Sequence, residues 1–409
     1  MAKKKEKTLE EKLQEALVPE NQWPYILPEN WCWVKFGSLA KDMADGPFGS
    51  NLKTEHYISE KEVRVVQLSN IGDDGWHDSN TKYTSFAHAS TLSRCIIPTG
   101  SILIAKMMPA GRAIICPKID SQYILGSDVV RITCDTKLDP KYFVYNTKSK
   151  LYLEQISECT QGSTRQRTSI SKLKTIQIVV PPTREQDSIA SALTSIDNLI
   201  SSLGKLIEKK KNIKQGAMQQ LLTGKTRLKG FNEPWVEKKL GEVCSVKRGV
   251  RVVKRNLTTD GLYPVYQNTN IPLGYSNQYN VEANTPFVII GGSAGQVGIC
   301  RERYWAADDC AFFACHDIYK EYLYYVLLLN QRNILHNVRT GTIPRLDRTF
   351  LSGMLVYISS NIAEQQAIAT ILTKMENEIT ALEAKRAKYE AIKQGMMQQL
   401  LTGKIRLIS

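Results

Sequence analysis

The chain has 409 residues, of which 42% are hydrophobic and 23% charged, and its formal net charge is +14 at pH 7. This composition excludes a disordered chain, and the length predicts two or three globular domains. The excess of Lys and Arg favours a polyanionic partner, nucleic acid before a membrane surface, although a basic but inert surface is an alternative.

Nine cysteines are scattered along the chain without a CxxC pair, which predicts reduced thiols in a cytoplasmic protein. Cys310, Cys315 and His316 are close in sequence, yet we expect no metal site there. The charged N-terminus lacks an apolar signal core, and no run approaches 18 apolar residues. We therefore expect a protein that spans no membrane.

Residues 1–30 are predicted to form an N-terminal helix and a linker. A Thr–Glu capping box starts a helix over residues 8–17, and two prolines and an asparagine then break it. A β-rich domain follows over residues 31–182, with a helical patch over residues 139–157. This mixture favours an α+β fold with a curved or barrel-like sheet. The predicted strands cover residues 62–71, 101–108, 112–119, 128–134 and 175–180.

Residues 183–230 are predicted to form a long helix, because apolar side chains recur at spacings of four and three, the heptad pattern of a coiled coil. The helical run from Glu185 to Leu222 would be roughly 57 Å long at 1.5 Å per residue. Gly224 is a candidate C-cap, and Gly216 inside the helix suggests a close helix contact, the approach of a partner's backbone, or a plain kink. The predicted seam consists of Ile189, Leu193, Ile196, Ile200, Leu203 and Ile207.

The second half of the chain repeats this order, with a β-rich domain over residues 231–360 and a heptad helix over residues 361–409. At a shift of 179, residues 185–228 and 364–407 share 24 identities in 44 positions. The domains have diverged much further, and the first is about 25 residues longer. Two matching seams can pair within one chain, although packing of each helix on its own domain is an alternative. The second seam consists of Ile368, Leu372, Met375, Ile379 and Leu382, continued by Arg386 and Tyr389.

No catalytic signature survives a test of spacing. The segment TGKT at residues 223–226 fails as a phosphate loop, because Gln219 stands where the first glycine belongs. The glycine-rich segment over residues 291–298 lies between two predicted strands, so a hairpin turn explains it better than nucleotide binding. The histidines have no carboxylate or nucleophile at a telling spacing, and the tetrad of amino-methyltransferases is missing. We therefore expect no catalytic residue in this chain.

Five segments carry a resemblance to a known family. They are PPxxEQxxIA at residues 181–190, its counterpart at residues 363–369, the two IKQGxMQQLLTGKxRL tails, and DGPFGSNLK at residues 45–53. In this order, with a β-rich domain before each helix, they resemble the specificity subunit of type I restriction–modification enzymes. The resemblance covers essentially the whole chain.

The resemblance implies an α+β protein in which two long antiparallel coiled-coil helices join and separate two β-rich target recognition domains, with a pseudo-twofold internal repeat. Each domain would read one half of a bipartite, asymmetric site in double-stranded DNA, and the helix pair would set the unread spacer. The chain would be non-catalytic and hold no cofactor. It would dock two methylation subunits, which use S-adenosylmethionine, and two restriction subunits, which use ATP and Mg. The assembled complex would be an adenine-specific DNA methyltransferase and an ATP-dependent endonuclease of phage defence.

Candidate DNA contacts are polar and basic side chains on loops beside strands, which is what reading a groove requires. Each Arg or Lys among them is more suited to phosphate than to a base. In the repeat, GSTRQR at residues 162–167 lies over GTIPRL at residues 341–346, so the arginines match only as a shared basic loop. The candidates in the first domain are Ser50, Asn51, Lys53, Gln67, Ser69, Asn70, Lys106, Arg112, Arg165 and Arg167. Those in the second domain are Lys247, Arg248, Arg251, Lys254, Arg255, Gln267, Asn268, Asn270, Thr342 and Arg345.

The near-identical helix tails are candidate docking surfaces, because identical partner subunits require like surfaces. Three other functions stay open on the sequence. The chain could serve a methylation-only or related system, it could be a self-contained DNA methyltransferase or nuclease, or it could be a coiled-coil scaffold without DNA function. The candidate docking residues are Gly216, Gln219, Gln220, Gly395, Gln398 and Gln399.

Overall fold

The structure is a computed structural model that describes residues 16–47, 49, 51–107, 109–160, 167–253 and 257–407. The chain divides into two compact units, one drawn from residues 1–201 with 387–409 and the other from residues 202–386. Each unit contains one β-rich domain and part of each long helix. Most of the helix predicted over residues 8–17 lies outside the described residues.

The described residues of the first domain form ten short strands and four short α-helices. One sheet has the strand order β2-β9-β6-β7, a second has the order β3-β5-β4-β8 with a parallel β4–β8 pair, and β1 pairs with β10. The strands are β1 Cys32–Lys35, β2 Ala40–Asp45, β3 Tyr57–Ile58, β4 Val63–Val66, β5 Tyr83–Thr84, β6 Ile102–Ala105, β7 Ala113–Ile115, β8 Tyr123–Leu125, β9 Val129–Cys134 and β10 Gln177–Val180. The helices are α1 Phe86–Thr91, α2 Pro140–Asn146, α3 Lys150–Cys159 and α4 Ile170–Thr175.

Strand β6 shows why this domain folds around two apolar clusters. All four of its residues are buried, which is the pattern of a strand covered on both faces. Ile102 and Ile104 belong to the cluster shared with the helices, whereas Leu103 and Ala105 belong to the cluster shared with the second sheet. The predicted helical patch is divided in two, because the Ser149 side chain caps α3 by accepting a hydrogen bond from the Tyr152 amide.

The two long helices, α5 Thr183–Leu221 and α10 Ile362–Leu400, each have 39 residues. In the first unit Lys393 pairs with Asp197 at 2.6 Å, and in the second unit Lys214 pairs with Glu376 at 2.7 Å. Within the first unit positions 185 and 197 pair with positions 406 and 393, and within the second unit positions 210 and 214 pair with positions 378 and 376, so the helices run antiparallel in each unit. The predicted antiparallel pairing is confirmed.

Most of the predicted heptad seam is buried, but not all of it. Ile200 is half-buried, as are Met375, Leu382 and Tyr389. Arg386, which continues the predicted seam, is exposed, but its guanidinium lies 4.0 Å from the Cβ position of Gly204 on the other long helix. The alternative of packing on the domains also holds in part, since Ile189 belongs to the core of the first domain. The buried seam residues are Ile189, Leu193, Ile196, Leu203, Ile207, Ile368, Leu372 and Ile379.

The helix glycines do not mark a close contact inside the chain. A Cβ placed on Gly216 or Gly395 would meet nothing within 4 Å among the described residues, and both helices continue through these positions. The predicted close helix contact is therefore wrong. Gly224 and Gly403, just beyond the helix ends, adopt φ of 68° and 73°, as C-cap glycines do.

The second domain repeats the plan of the first. Its sheets have the orders β12-β18-β15-β16, β14-β13-β17 and β11-β19, and the loop over residues 290–296 joins the antiparallel strands β15 and β16 as the predicted hairpin. The strands are β11 Trp235–Lys239, β12 Cys244–Arg248, β13 Tyr263–Tyr266, β14 Gly274–Ser276, β15 Pro286–Ile289, β16 Val297–Ile299, β17 Trp305–Ala306, β18 Cys310–Cys315 and β19 Leu355–Ser359. The helices are α6 Leu240–Val243, α7 Lys320–Leu329, α8 Gln331–His336 and α9 Arg348–Gly353.

Candidate nucleic-acid interface and docking surface

Three loops of the second domain meet beside the β15–β16 hairpin. The Gly292 amide donates a hydrogen bond to the Pro344 carbonyl at 3.2 Å, and the Ser293 amide donates to the Asn268 carbonyl at 2.9 Å. The Asn270 amide donates to the side-chain oxygen of Gln296 at 3.3 Å. These contacts bring the predicted residues Asn268 and Asn270 into one patch with the loop that carries Arg345.

The basic segment at the end of β12 borders the same patch. The Arg248 guanidinium donates to the Asp308 carbonyl at 2.7 Å, and the neighbouring Asp309 pairs with Arg345 at 3.5 Å. Gly249 lets the strand pass close to this turn, because a Cβ there would lie 2.2 Å from the Ala307 carbonyl oxygen. The side chains of Lys247, Arg251, Asn268, Asn270 and Thr342 are exposed, and Gln267 is half-buried.

The first domain carries a patch of the same design. The Lys106 ammonium donates to the Asp45 carboxylate at 2.9 Å, and the Lys106 amide donates to the Asp128 carbonyl at 2.9 Å. Arg167 pairs with the Asp128 carboxylate, and the Thr168 amide donates to the Lys106 carbonyl at 2.9 Å. The predicted residues Lys106 and Arg167 therefore lie together at one end of β6 and β9.

Arg167 and Arg345 occupy equivalent places in the two domains. Arg167 forms an antiparallel bridge with Met107, two residues after β6, and Arg345 forms one with Gly291, two residues after β15. Each pairs with the aspartate that directly precedes β9 or β18. The side-chain exposures also match, at 54% and 25% for the Arg167–Asp128 pair and 59% and 23% for the Arg345–Asp309 pair.

The sequence repeat hid this equivalence, because it holds at a shift of 178 and not 179. At the shift of the tails Arg167 lies over Leu346. Sequence reasoning also missed Asp45, Asp128 and Asp309, which hold the basic side chains. Their signal was available, since the two later aspartates each stand directly before a strongly apolar strand.

Two other predicted DNA contacts of the first domain, Asn70 and Arg112, are engaged in hydrogen bonds within their own domain. Asn70 is fully buried: its side-chain oxygen accepts from the Gln67 amide at 2.8 Å, and its nitrogen donates to the His77 and Ser79 carbonyls at 2.9 and 2.8 Å. The prediction of a DNA contact at Asn70 is therefore wrong, because its amide is consumed in holding the loop. Arg112 is half-buried and donates to the Pro109 carbonyl at 3.2 Å.

The remaining first-domain candidates differ in exposure. Ser69, Asn51 and Lys53 are exposed, whereas Gln67 is half-buried. The Asn51 carbonyl lies 3.0 Å from the His88 ring nitrogen. Four predicted contacts, Ser50, Arg165, Lys254 and Arg255, lie outside the described residues.

A buried carboxylate at the head of each long helix fastens the tail of the other. Glu185 accepts from Arg406 at 2.8 and 3.2 Å and from the Trp31 indole at 3.0 Å. Burial alone would raise the pKa of Glu185, but the hydrogen bonds from Arg406 and Trp31 outweigh it and hold that pKa below its ordinary value. We call this set the first clasp.

The second clasp has the same composition in the other unit. Glu364 accepts from Arg227 at 2.7 and 2.9 Å and from the Trp235 indole at 3.2 Å. The glutamates of the repeated Glu-Gln pairs and the arginines of the repeated Arg-Leu ends thus meet in these clasps.

The predicted docking residues lie on or beside the exposed tails. In the first unit a groove of about 1180 Å³ is lined by Gly395 and Gln398 on one side and by the segment over residues 25–28 on another. Ile26 is 91% exposed at this groove and Leu153 is 48% exposed. Gln219 and Gln220 are exposed, and Gln399 is half-buried. An open apolar groove of this size suits an apolar segment of a partner.

Neither a membrane-spanning helix nor a metal-binding cluster is present in the described part of the chain. No helix among those residues is long and apolar enough to cross a membrane. No group of three or more His, Cys, Asp or Glu side chains there could hold a metal ion.

Comparison with known proteins identifies the fold. The type I restriction enzyme MjaVIII specificity subunit of Methanocaldococcus jannaschii is 26% identical over 328 residues, covering 69% of this chain and 75% of that protein. The putative MjaX specificity subunit of the same organism is 24% identical over 306 residues, covering 66% and 69%. The S subunit of a type I restriction–modification system from M. genitalium superposes with a TM-score of 0.68 at 19% identity, over 92% of this chain and 98% of that one, which shows the fold alone.

The family model of the type I restriction modification DNA specificity domain matches twice, over residues 64–215 and 232–394. The two matches fall on the two halves of the internal repeat and together cover more than half of the chain. The chain therefore belongs to the family of type I restriction–modification specificity subunits, with two specificity domains in tandem, as the sequence resemblance predicted.

Proposed function

We propose that each β-rich domain reads one half of a bipartite, asymmetric site in double-stranded DNA through the patch around Arg167 or Arg345. The observation that carries this proposal is the equivalence of the two Arg–Asp pairs, each exposed at the same place in its sheet. Arginine is the side chain best suited to guanine edges and to phosphate. The aspartate keeps each guanidinium oriented until DNA replaces part of the pairing.

The patches share a design but differ around it. In the first domain Lys106 and Asp45 flank the arginine, whereas the second domain places Asn268 and Asn270 there. Different side chains beside a common arginine favour different bases, since base edges are read by the pattern of donors and acceptors. We therefore expect unequal half-sites.

We further propose a division of labour in the complex. This chain supplies recognition and holds no cofactor, whereas two methylation subunits supply S-adenosylmethionine chemistry at adenine. Two restriction subunits supply ATP- and Mg-dependent cleavage. The two repeated helix tails support two copies of the methylation subunit, because like surfaces bind like partners.

The groove beside Gly395 supports a docking role for the helix tails. Its walls are mostly apolar, and the two tail glycines present open backbone to any approaching partner. A bulky residue at either glycine would meet no atom of this chain among the described residues, so its effect would fall on a partner. The helix pair then serves twice, as the spacer between the reading domains and as the seat of the methylation subunits.

Salt dependence tests DNA recognition by the purified chain. We expect the logarithm of affinity to fall linearly with the logarithm of salt concentration, because each phosphate contact releases counterions. Arg345→Ala and Arg167→Ala should each weaken specific binding roughly five- to hundredfold, the range for one lost contact. Arg303→Ala is the matched control, since Arg303 is also a half-exposed arginine paired with an acid, Glu282, outside the patch. Salt-independent binding, as a scaffold would give, contradicts the proposal.

Labelled S-adenosylmethionine tests the enzymatic alternative. The chain alone should transfer no methyl group to DNA, whereas the chain with its methylation subunit should methylate adenine in a split motif. Methyl transfer by the chain alone would refute the proposed division of labour. Sequencing of methylated bases in the source genome would give both half-sites and the spacer.

A further inference from the structure

A half-buried network joins the first domain to both long helices. The Tyr145 hydroxyl on α2 donates to the Asp197 carboxylate on α5 at 2.8 Å, and Lys393 on α10 pairs with the other oxygen of the same carboxylate at 2.6 Å. Thr194 lies 3.3 Å from the Tyr145 hydroxyl. One carboxylate therefore binds a domain helix and the opposite long helix at once, and we call this set the first joint.

The second unit contains the same network. The Tyr325 hydroxyl on α7 donates to the Glu376 carboxylate on α10 at 3.0 Å, and Lys214 on α5 pairs with that carboxylate at 2.7 Å. Tyr324 and Arg301 add donors at 3.2 and 3.1 Å. This second joint contains Thr373 as well, 3.0 Å from the Tyr325 hydroxyl.

The two joints correspond residue by residue in the internal repeat. Thr194, Asp197 and Lys214 lie over Thr373, Glu376 and Lys393 at the shift of 179, and Tyr145 lies over Tyr325 at a shift of 180. The acid and the lysine of each long helix are thus 17 positions apart. With an acid early and a lysine late on both helices, the charges complement each other only in the antiparallel arrangement.

Both joints are partly removed from water, since the carboxylates of Asp197 and Glu376 are 33% and 25% exposed. The side chains of Lys214 and Lys393 are 15% and 17% exposed, and Tyr325 is fully buried. Apolar seam contacts tolerate a slip of one heptad, because one apolar residue then replaces another. The lysine–carboxylate pairs do not tolerate such a slip, because it would leave a largely buried charge without its partner. The tyrosine hydroxyl extends this constraint from the helices to the domain.

We propose that the two joints set the fidelity of the unread spacer, by fixing the register of the helix pair and the orientation of each reading domain on that pair. The lysine–carboxylate pair fixes the register, and the tyrosine hydroxyl fixes the domain. Tyr145 and Tyr325 are therefore positioning residues that contact no DNA. This inference rests on the proposed function, in which the domains read half-sites at a fixed separation.

The test uses the assembled complex of this chain with its methylation subunit. The substrates are three DNAs that carry the two half-sites with the native spacer or with one base pair less or more. The variants are Tyr145→Phe, Tyr325→Phe and the double variant, which keep the buried ring and remove only the hydroxyl. We expect methylation of the native spacer to stay within about twofold, and methylation of the two altered spacers to rise at least tenfold relative to it in the double variant.

Two matched controls separate the joint from ordinary loss of a buried hydrogen bond. Tyr142→Phe removes a hydroxyl on the same helix that donates to the Val179 carbonyl at 3.1 Å, inside the first domain. Tyr304→Phe removes one that donates to the Thr285 carbonyl at 3.0 Å, inside the second. Both controls should keep the native preference for the spacer.

The outcomes distinguish the two levels of inference. If the wild-type complex methylates no bipartite site, the proposed function fails. If the wild type discriminates between spacers and the double Tyr→Phe variant discriminates equally well, the joints fail as determinants of fidelity. Equal loss on all three substrates would also overturn them, because it indicates a purely structural role. The double variant Lys214→Met with Lys393→Met provides a second measurement. It should also raise methylation of the two altered spacers relative to the native spacer. Unchanged discrimination between spacers in this variant would overturn the claim that the lysine–carboxylate pairs fix the helix register.

Discussion

Lengthening the helix pair by one heptad should lengthen the unread spacer and leave both half-sites unchanged. The change inserts a copy of residues 201–207 after Ile200 and a copy of residues 380–386 after Ile379. Both insertion points lie between the acid and the lysine of their helix, so the two joints keep their own residues. The copies carry the seam with them, since Leu203 and Ile207 are buried and Leu382 is half-buried.

The size of the effect follows from helix and DNA geometry. Seven residues extend each helix by about 10.5 Å at 1.5 Å per residue. This equals about three base pairs at 3.4 Å each. The insertion turns the helix pair by only about 20°, whereas each base pair turns DNA by roughly 34°. The added length and the added rotation therefore do not match those of DNA, and the domains can use only part of the added length if each is to face its groove. We expect the spacer to gain one to three base pairs.

Sequencing of methylated bases in cells that carry the variant measures both quantities at once. An unchanged spacer, or altered bases in either half-site, would refute the view that helix length sets the separation. The control inserts seven residues into α5 alone. It should lower the melting temperature and abolish methylation, because the acids and lysines of the two helices can no longer all meet.

Three further predictions address docking, acid stability and the core. Gly216→Leu with Gly395→Leu should reduce co-purification of the methylation subunit and leave DNA affinity unchanged, and undiminished co-purification would speak against docking at the tails. Burial alone would raise the pKa of Glu376, but the hydrogen bond and charge of Lys214 and the hydrogen bond from Tyr325 together outweigh it and hold that pKa below its ordinary value. The contribution of Glu376 to stability is therefore present above the ordinary glutamate pKa and is lost as pH falls through the lower pKa of the folded state. Glu376→Gln should therefore lower the melting temperature at pH 7 and make little difference in strong acid, and an equal difference at both pH values would contradict this sign. Ile189→Ala, at a fully buried seam position, should cost about 2–5 kcal/mol in urea unfolding, and a cost near zero would show that the first turns of α5 are not part of the core.

The long helices and their pairing could be predicted because their signal is local and periodic. Side chains that recur every three and four residues must lie on one face of a helix, whatever the rest of the chain does. The strands were predicted with ends too long by one to several residues. Apolar character continues into the following turn, as in the stretch 101–108 that yields only Ile102–Ala105.

The candidate site was predictable in type but not in detail. Polar residue type does not tell whether a side chain faces solvent or is consumed inside a loop, and Asn70 shows the second case. The joints could not be predicted from the sequence, because Tyr145 and Asp197 are 52 positions apart and meet only after α2 has packed on α5. A shift of a single residue between the two halves was enough to conceal that Arg167 and Arg345 are counterparts.

Each reading domain begins and ends on neighbouring strands. Cys32 faces Val180 in the β1–β10 pair, and Trp235 faces Ser359 in the β11–β19 pair. A domain whose two ends lie side by side can be removed and replaced at a single place on the scaffold, because the ends of the replacement need meet only one pair of strands. A recognition domain can therefore be exchanged as a unit. Recombination at two points would then change the DNA specificity and leave the helices, clasps and joints unchanged.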